Sequence, residues 1–505
     1  MKAMKESLVA TGDEAQQLLH LTAWASTEMA DQGSSQIDTT KSWVKRSSDM
    51  SHRQAISNSP ERDIATQPNT FISNGHHVTK HCSTPKEAIE NIKSGEAIWA
   101  HSMAATPKRL LAALADYAPE NLRDVSILQL HLEQSEVLCR PELEGHLRNR
   151  VFFAGKDTRQ LINEGRADYV PIFLSEIPKL FRSGMQKLDV AMIQVSSPDQ
   201  HGNCSLGVSV EATKSACDVA GRIIAHINPS MPRTHGESFI ALKDIDYAYT
   251  EDIPLTSLPQ GVITPVQQKI GEEVASLIRD GDCLQMGIGA IPDAALANLH
   301  HLKNLGVHTE MFSDGLLPLI ESGSVDNSQK AVRRGRTVTG FTIGSHKVYE
   351  FVNDNPTVLF LDIEYVNNPM VISRNRQVTS INSALQIDLG GQVVADSIGN
   401  KIYSGVGGQV DFVLGSHFSE NGKSIIALPS TAAGGKLSRL VSTLTPGAGV
   451  VTSRANVDYI ITEYGIARLR GRSLTERAKD LIAIAHPDFQ ESLSREARDI
   501  FGVRT

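Results

Sequence analysis

Short apolar runs alternate with longer segments of helical periodicity from about Val78 onward, and glycine- or proline-containing turns separate them. Apolar runs bounded by turn residues are typical of buried strands. Their alternation with helices is typical of an α/β protein with a largely parallel sheet. The predicted strands are residues 97–100, 125–130, 190–195, 222–227, 283–286, 358–361, 424–428 and 459–462. These strands are enough for two sheets.

The two halves of this region resemble each other. One pattern occurs twice: a strand, a loop of small residues, a proline at a helix start and an apolar run. It covers residues 94–107 with 110–114, and again residues 280–292 with 294–299. Residues 199–203 echo 396–400, and residues 223–229 echo 425–429, in the same order. Three ordered echoes predict a duplicated domain. The turn-rich segment 253–261 is the predicted linker, which gives domains at 73–257 and 258–505.

Residues 1–72 differ from the rest of the chain. Residues 31–71 are rich in Ser, Gln, Asn, Asp and Thr, a composition that predicts a mobile extension, with one short helix near residues 14–29. Acidic residues at positions 6, 13 and 14 and the lack of an apolar core argue against a targeting peptide.

Composition excludes several classes of protein. The chain has 505 residues, a net charge of −8 and 40% hydrophobic residues, so we expect a globular protein without general affinity for nucleic acid or an anionic membrane. No apolar run is long enough to span a bilayer. Its five cysteines are widely separated, which favours reduced thiols and a cytoplasmic location, with the mitochondrial matrix as the alternative. His77 and His81 have metal-pair spacing without a third ligand, so no metal site is predicted.

Two glycine clusters are candidate ligand loops. Gly287 and Gly289 precede a helix expected after Pro292, whose free N–H groups would face an anion or a carbonyl oxygen. Taken alone, such a loop is more often a plain strand-to-helix turn. Gly405, Gly407 and Gly408 crowd a second turn, which is either a source of N–H groups for an oxyanion or a β-bulge.

Two glutamates compete for a chemical role. Glu364 is predicted at the end of the strand 357–366, where open α/β sheets place their sites, and Glu310 lies in a polar turn. Position does not separate these two residues. Glu310 after the first glycine loop would also suit a ribose clamp in a dinucleotide site, although Pro292 stands where that fingerprint has a third glycine. The basic runs 333–336 and 468–472 either bind phosphates or form solvated faces.

Five separated segments carry a specific resemblance. These segments are, in chain order, residues 195–207, 231–236, 308–315, 404–412 and 462–471. Through them the chain resembles the acetyl-CoA hydrolase/transferase family, close to the 4-hydroxybutyrate CoA-transferases. The resemblance extends from about Thr79 to the C-terminus. It implies a pair of similar CoA-transferase (NagB/RpiA-like) α/β domains, in agreement with the duplication.

The resemblance also implies a site and a reaction. Glu310 matches the nucleophile, with Glu364 kept as a weaker candidate, and coenzyme A and oxyanion contacts fall on Gly287, Ile288, Gly289, Ala290, Ile291, Gly407 and Gly408. Relatives often carry a lysine where this chain has Ala433, so Lys436 is the remaining candidate for a charge contact to coenzyme A.

The implied activity is transfer of coenzyme A between a short acyl-CoA and a carboxylate, such as acetyl-CoA and 4-hydroxybutyrate, through a glutamyl-CoA thioester. Coenzyme A is then a substrate, no cofactor is permanently bound, and a homodimer or larger homo-oligomer is expected. The alternatives are an acyl-CoA hydrolase, a more distant NAD-binding oxidoreductase and a non-catalytic CoA-binding protein.

Overall fold

Strands and helices alternate along the chain from Lys80 to Phe501 in a computed structural model that describes residues 78–258, 261–287 and 289–502. The predicted N-terminal extension, its short helix, and Ile288 lie outside the described residues. Residues 77–505 form one unit by their contacts, and a domain boundary between residues 257 and 258 stays a prediction.

The strands of the first half are β1 (Lys80–Cys82), β2 (Ala97–Ala100), β3 (Val125–Gln129), β4 (Leu147–Val151), β5 (Asp168–Tyr169), β6 (Val190–Val195), β7 (Asn203–Ser205), β8 (Arg222–Ile227), β9 (His235–Gly236), β10 (Phe239–Ala241) and β11 (Tyr247–Thr250). Those of the second half are β12 (Cys283–Met286), β13 (Gly306–Val307), β14 (Met311–Phe312), β15 (Thr337–Thr339), β16 (Phe341–Thr342), β17 (Val358–Phe360), β18 (Val378–Asn382), β19 (Gln386–Asp388), β20 (Val393–Val394), β21 (Ser397–Ile398), β22 (Lys401–Ile402), β23 (Lys423–Ala427), β24 (Thr431–Ala432), β25 (Leu437–Ser438), β26 (Leu440–Val441), β27 (Tyr459–Thr462) and β28 (Gly465–Arg468).

The α-helices are α1 (Pro85–Ile89), α2 (Lys108–Asn121), α3 (Lys156–Asn163), α4 (Ile177–Arg182), α5 (Glu211–Val219), α6 (Pro265–Ser276), α7 (Ala290–Ala297), α8 (Leu317–Glu321), α9 (His346–Val352), α10 (Ile363–Val366), α11 (Pro369–Ile372), α12 (Gln409–Phe418), α13 (Leu474–Ala483) and α14 (Pro487–Phe501). Short 3-10 helices cover Glu136–Cys139, Pro141–Leu143, Leu174–Glu176, Leu242–Asp244 and Asp314–Leu316.

Two large sheets organise these elements. The first has the order β1-β11-β8-β6-β2-β3-β4-β5 and is parallel throughout. The second has the order β13-β12-β18-β23-β27-β28, and within it only β28 runs antiparallel to its neighbour. This largely parallel α/β architecture confirms the predicted fold class.

The same strand order occurs in both sheets. In the first sheet β3-β2-β6-β8-β11 are neighbours, and in the second β13-β12-β18-β23-β27 are neighbours. In each set the strand that comes first along the chain lies between the second and the third. This shared order supports the duplication inferred from the sequence echoes.

All eight strands predicted from the sequence are present. Five have the predicted bounds, β3 and β17 end one residue earlier than predicted, and β23 lies one residue earlier at both ends. However, β17 joins neither large sheet, because it pairs with β15 and with β9 from the first half of the chain. The apolar run at 358–361 identified a strand but not its partners.

Proline marks the two repeated helix starts differently. Pro107 is the N-terminal cap of α2, as the sequence predicts. Helix α7 begins at Ala290, two residues earlier than expected, so Pro292 lies within its first turn. A proline is tolerated there because the N–H groups of a first turn have no partner within the helix.

Trp99, on β2, is the largest fully buried side chain of the described residues. Its ring packs against Phe181 with a centroid distance of 5.3 Å and against Phe152 at 6.3 Å. The indole Nε1 donates a hydrogen bond of 2.8 Å to Thr213 Oγ1 on α5. Trp99 therefore joins the first sheet to its covering helices through both packing and a buried polar contact.

In residues 78–258, 261–287 and 289–502, no helix combines the length and the apolar character needed to cross a membrane.

Replacing Trp99 with alanine is expected to lower the free energy of unfolding by about 3–5 kcal/mol, because a large cavity replaces the indole. Urea unfolding followed by circular dichroism measures the loss. Trp99→Phe keeps most of the apolar volume while removing the hydrogen bond to Thr213, so the free energy of unfolding should fall less than in the alanine variant. Equal losses in both variants would contradict the packing role.

Candidate functional site

Glu310 occupies the connection between β13 and β14, at the carboxyl end of a strand of the second sheet. Its carbonyl oxygen accepts hydrogen bonds from the amides of Gly340 at 2.9 Å and Phe341 at 3.2 Å, and from Thr339 Oγ1 at 3.1 Å. Three donors on the turn between β15 and β16 thus hold the backbone of Glu310 in place.

The carboxylate of Glu310 is held by groups from two other segments. Asn367 Nδ2, just after α10, donates to Glu310 Oε2 at 2.8 Å. Gly408, which caps α12, lies so close that a Cβ on it would be 2.0 Å from Oε2 and 2.2 Å from Asn367 Nδ2. Glycine is required at 408 because any side chain would occupy the space of the carboxylate.

The surroundings of Glu310 change its ionisation. Burial raises the pKa of Glu310 to about 7, although hydrogen bonds from Asn367 and from the backbone amide of Gly408 oppose this rise. Glu310 is still partly exposed, whereas its neighbour Thr309 is buried. A more basic carboxylate that a ligand can reach is suited to nucleophilic chemistry.

The first glycine loop begins beside Glu310. Thr309 Oγ1 donates to the carbonyl of Met286 at 3.0 Å and accepts from the amide of Met286 at 3.3 Å. Gly289 has φ of 120°, which favours glycine, and caps α7, whose first residues are Ala290 and Ile291. The unpaired N–H groups of this first turn therefore lie at the end of the same loop.

Gly287 starts this loop next to open space. A Cβ built on Gly287 meets no atom of the described residues within 4 Å. The structure thus places Gly287, Gly289, Ala290 and Ile291 in one strand-to-helix turn next to the Glu310 segment, as the sequence predicts for a ligand loop. Their role in coenzyme A binding stays a prediction.

Residues of the first half of the chain hold the second glycine loop. The amide of Leu174 donates to the carbonyl of Gly407 at 3.1 Å, and the amide of Ala154 donates to Ser404 at 3.2 Å. A Cβ on Gly405 would be 2.8 Å from the Phe152 carbonyl oxygen. The glycines at 405–408 therefore allow this loop to pack closely against the first half of the chain. In this position Gly408 lies next to Glu310.

Three further residues of the site were not identified from the sequence: Ser175, Asn367 and Asp411. Asp411 is buried in the first turn of α12 and accepts hydrogen bonds from Ser175 Oγ at 2.8 Å and from the Ser175 amide at 3.2 Å. Asp411 lies within the motif 404–412, but nothing in the sequence pairs it with Ser175, 236 residues away.

Glu364 is placed differently from the prediction. The strand ends at Phe360, and Glu364 lies in the short helix α10, so its expected position at a strand end is wrong. Its carboxylate forms an ion pair with Arg182, which also binds Asp362 at 2.6 Å. The local signal for a helix was Asp362, whose side chain caps α10 through the amide of Glu364. Glu364 is a structural ion-pair residue in this arrangement.

The predicted basic residues lie on the outside of the protein. Lys436 is exposed in the turn between β24 and β25, and Ala433 in the same turn has φ of 51°. Arg472 pairs with Glu476 and Asp480 on α13. A phosphate-binding role for these residues stays a prediction. Among the described residues, no three His, Cys, Asp or Glu side chains are grouped to hold a metal ion.

Comparison with known proteins gives two matches to family domains. Residues 73–258 match the acetyl-CoA hydrolase/transferase N-terminal domain, and residues 344–497 match the C-terminal domain of the same family.

The chain is also similar to individual proteins. It is 46% identical to the 4-hydroxybutyrate coenzyme A transferase of Clostridium kluyveri, over 83% of this chain and 97% of that protein. It is 43% identical to the succinyl-CoA:acetate/propanoyl-CoA:succinate CoA transferase of Fasciola hepatica, over 87% and 91% of the two chains. The crystal structure of a 4-hydroxybutyrate CoA-transferase from Porphyromonas gingivalis matches with a TM-score of 0.72 and 37% identity, over 84% and 98%.

Replacing Glu310 with glutamine is expected to stabilise the protein at pH 8 and to change little at pH 5. The pKa of Glu310 lies above its value in the unfolded chain, so the favourable contribution of the protonated acid is present at low pH and is lost as pH rises through about 7. The gain at pH 8 should be about 1–3 kcal/mol, since the side chain keeps some contact with solvent. Thermal unfolding midpoints at both pH values measure it.

Glu364→Gln is the matched control for this comparison. Glu364 is paired with Arg182, so its replacement should not stabilise the protein at pH 8. A Glu310→Gln variant that gains nothing between pH 5 and pH 8 would contradict the burial of an ionisable Glu310.

Proposed function

Because this chain belongs to the acetyl-CoA hydrolase/transferase family, we propose that it is a CoA-transferase with Glu310 as its nucleophile. The single observation that carries the assignment of Glu310 is the arrangement of its carboxylate. This carboxylate belongs to a residue that is partly exposed to solvent, and its pKa is raised to about 7. It contacts two hydrogen-bond donors, the side-chain amide of Asn367 and the backbone of Gly408.

The first half-reaction consists of two substitutions. The ionised carboxylate of Glu310 attacks the thioester carbonyl of the acyl-CoA, the carbon–sulfur bond breaks, and a mixed anhydride and CoA thiolate form. The thiolate then attacks the glutamyl carbonyl of the anhydride. The acyl group leaves as a free carboxylate, and the enzyme holds coenzyme A as a Glu310 thioester.

The second half-reaction reverses these steps with a new acid. An incoming carboxylate attacks the Glu310 thioester and releases the thiolate, which then attacks the acyl carbonyl of the new anhydride. The products are a new acyl-CoA and the free carboxylate of Glu310. The energy of the thioester is conserved throughout, so the transfer is a ping-pong reaction that consumes no nucleotide triphosphate.

Each attack creates a tetrahedral carbon with a negative oxygen. Gly408 suits the role of oxyanion donor because its backbone lies against Glu310 Oε2 with no side chain between them. The loop at Gly287 and Gly289, with the first turn of α7, suits the acyl-CoA side of the reaction. We include Gly407, Ala290, Ile291 and Lys436 in the proposed coenzyme A contacts, together with Ile288.

The proposed substrates are a short acyl-CoA and a short carboxylate, with acetyl-CoA and 4-hydroxybutyrate or a similar acid as the preferred pair. The C. kluyveri relative carries 4-hydroxybutyrate in its name. The F. hepatica relative is named for succinate, acetate and propanoate, and it has similar identity to this chain. Binding of the distant parts of coenzyme A would position the thioester, an effect that can supply about 7–11 kcal/mol.

The family name includes hydrolases, so hydrolysis of an acyl-CoA by water at the same intermediate is the second candidate function. The NAD-dependent alternative is disfavoured because the phosphate loop lacks its third glycine at Pro292. We place the reaction in the cytoplasm and expect a homodimer or larger homo-oligomer; both stay predictions, like the absence of a permanently bound cofactor.

Incubation with acyl-CoA followed by borohydride should convert Glu310 to the corresponding alcohol, because thioesters and anhydrides are reduced whereas free carboxylates are not. Peptide mass spectrometry identifies the modified residue. Glu310→Gln should show no modification and a loss of kcat of at least about 1,000-fold. Reduction at another carboxylate would show that the nucleophile has been assigned to the wrong residue.

Replacing Gly408 with alanine is expected to lower kcat by about 100- to 1,000-fold, because the new Cβ displaces Glu310 and disturbs the oxyanion donor. Gly261→Ala is the matched control, since a Cβ there meets no described atom within 4 Å and should leave kcat unchanged. An active Gly408→Ala enzyme would argue against the close contact between Gly408 and Glu310.

A panel of short carboxylates tests transfer against hydrolysis. A transferase releases coenzyme A from acetyl-CoA slowly without an acceptor and forms a new acyl-CoA when a suitable acid is added. Release that is fast and independent of every acid would favour the hydrolase.

A further inference from the structure

Asp411 lies beside the donors that contact Glu310, and neither family resemblance nor the reaction scheme assigns it a role. Its side chain is 3% exposed, and Ser175 binds both of its carboxylate oxygens, through Oγ at 2.8 Å and through the backbone amide at 3.2 Å. Ser175 comes from the first half of the chain. Asp411 is therefore a fixed, buried acid rather than a mobile surface group.

Two connections lead from Asp411 to Glu310. Gly408 caps helix α12 and Asp411 lies in its first turn, so both belong to one rigid segment. Asn367 Nδ2 donates to Glu310 Oε2 at 2.8 Å, and the same side chain lowers the pKa of Asp411, so Asn367 acts on both carboxyl groups. Both donors that hold the Glu310 carboxylate thus contact Asp411 or share its helical turn.

The two acids form an uncompensated pair. Among the ion pairs of the described residues, none includes Glu310 or Asp411. Burial raises the pKa of Asp411 to about 7, the hydrogen bonds from Ser175 oppose this rise, and the charge of Glu310 adds to it. Repulsion between two carboxylates acts on both, so ionisation of one makes ionisation of the other less favourable.

We propose that Asp411, held by Ser175, is a positioning residue that sets the orientation and the ionisation of Glu310 through Asn367. The inference rests on the proposed function, since it concerns the nucleophile of that reaction. A neutral Asp411 lets Glu310 ionise, and an ionised Asp411 makes the Glu310 carboxylate more basic and hence a stronger nucleophile. Asp411 itself contacts no reacting atom.

Other titratable groups lie on the neighbouring segments. They are His308, Lys330, Glu211, Glu176, and the cluster of Arg182 with Asp362 and Glu364. The buried ring of His308 stays neutral because burial lowers its pKa to about 3. Burial raises the pKa of Glu211 to about 7 and that of Asp362 to about 6. A difference between variants, and not the wild-type profile alone, therefore identifies the effect of Asp411.

The test compares pH profiles of kcat/KM for the full-length enzyme between pH 5 and 9. In the wild type, activity should rise with pH as Glu310 ionises, with a midpoint near the Glu310 pKa of about 7 and a plateau about one pH unit above it. Asp411→Asn keeps the shape of the side chain and removes its charge, so the midpoint should move to lower pH by about one unit. We also expect kcat to fall by about three- to tenfold on the plateau while KM changes less than threefold, because a carboxylate about one pKa unit less basic is a weaker nucleophile by at most about tenfold.

Ser175→Ala is the second variant and covers the case in which Asp411→Asn does not fold. Loss of the hydroxyl donor favours the neutral form of Asp411, so the midpoint should move in the same direction by a smaller amount. Asp458→Asn is the matched control, since Asp458 is also buried with a raised pKa but precedes β27 at the amino edge of the sheet. Its midpoint should equal that of the wild type.

Unchanged midpoints in both Asp411→Asn and Ser175→Ala would overturn the proposal, even if kcat falls, because a merely structural role lowers activity without moving the profile. A shift in Asp458→Asn equal to that in Asp411→Asn would overturn it as well. Borohydride trapping on the wild type separates this result from failure of the proposed function. A wild type that is trapped at Glu310, together with unshifted variants, refutes only the role of Asp411.

Discussion

The candidate site depends on one contact, the packing of the Glu310 carboxylate against the backbone of Gly408. Burial destabilises the charged form of Glu310, and hydrogen bonds from Asn367 and Gly408 partly offset this destabilisation. The result is a carboxylate that ionises near neutral pH. The contact is possible only without a side chain at 408, since a Cβ would come within 2.0 Å of Oε2.

This contact places demands on both halves of the chain. Glu310 is held by the turn between β15 and β16, and Gly408 is held through Gly407 and Asp411, which bind Leu174 and Ser175 of the first half. The second sheet thus carries the proposed nucleophile at its carboxyl edge, while residues of the first half hold the loop that contacts it. A shared strand order in the two sheets is consistent with this division, because each copy could diverge toward one of the two tasks.

Family membership narrows the chemistry without deciding the substrates. The matched domains and the relatives concern CoA transfer, and their names include several short acids. In the structure, the proposed nucleophile Glu310 is surrounded by Asn367, Gly408 and Asp411, which affect its pKa and its hydrogen bonds.

The sequence by itself determined the α/β class, the strand positions and the internal repeat, because those depend on local periodicity and turn residues that are visible within ten or twenty positions. It placed β17 as a strand but not in its sheet, and it placed Glu364 at a strand end that the structure replaces with a helix. The family motif favoured Glu310 as the nucleophile, whereas the positions of the two glutamates in the sequence did not distinguish Glu310 from Glu364. Only the tertiary structure brought Asn367, Ser175 and Asp411 to Glu310. Their contacts join residues 57 to 236 positions apart, and no local pattern records which distant side chains a buried carboxylate will meet.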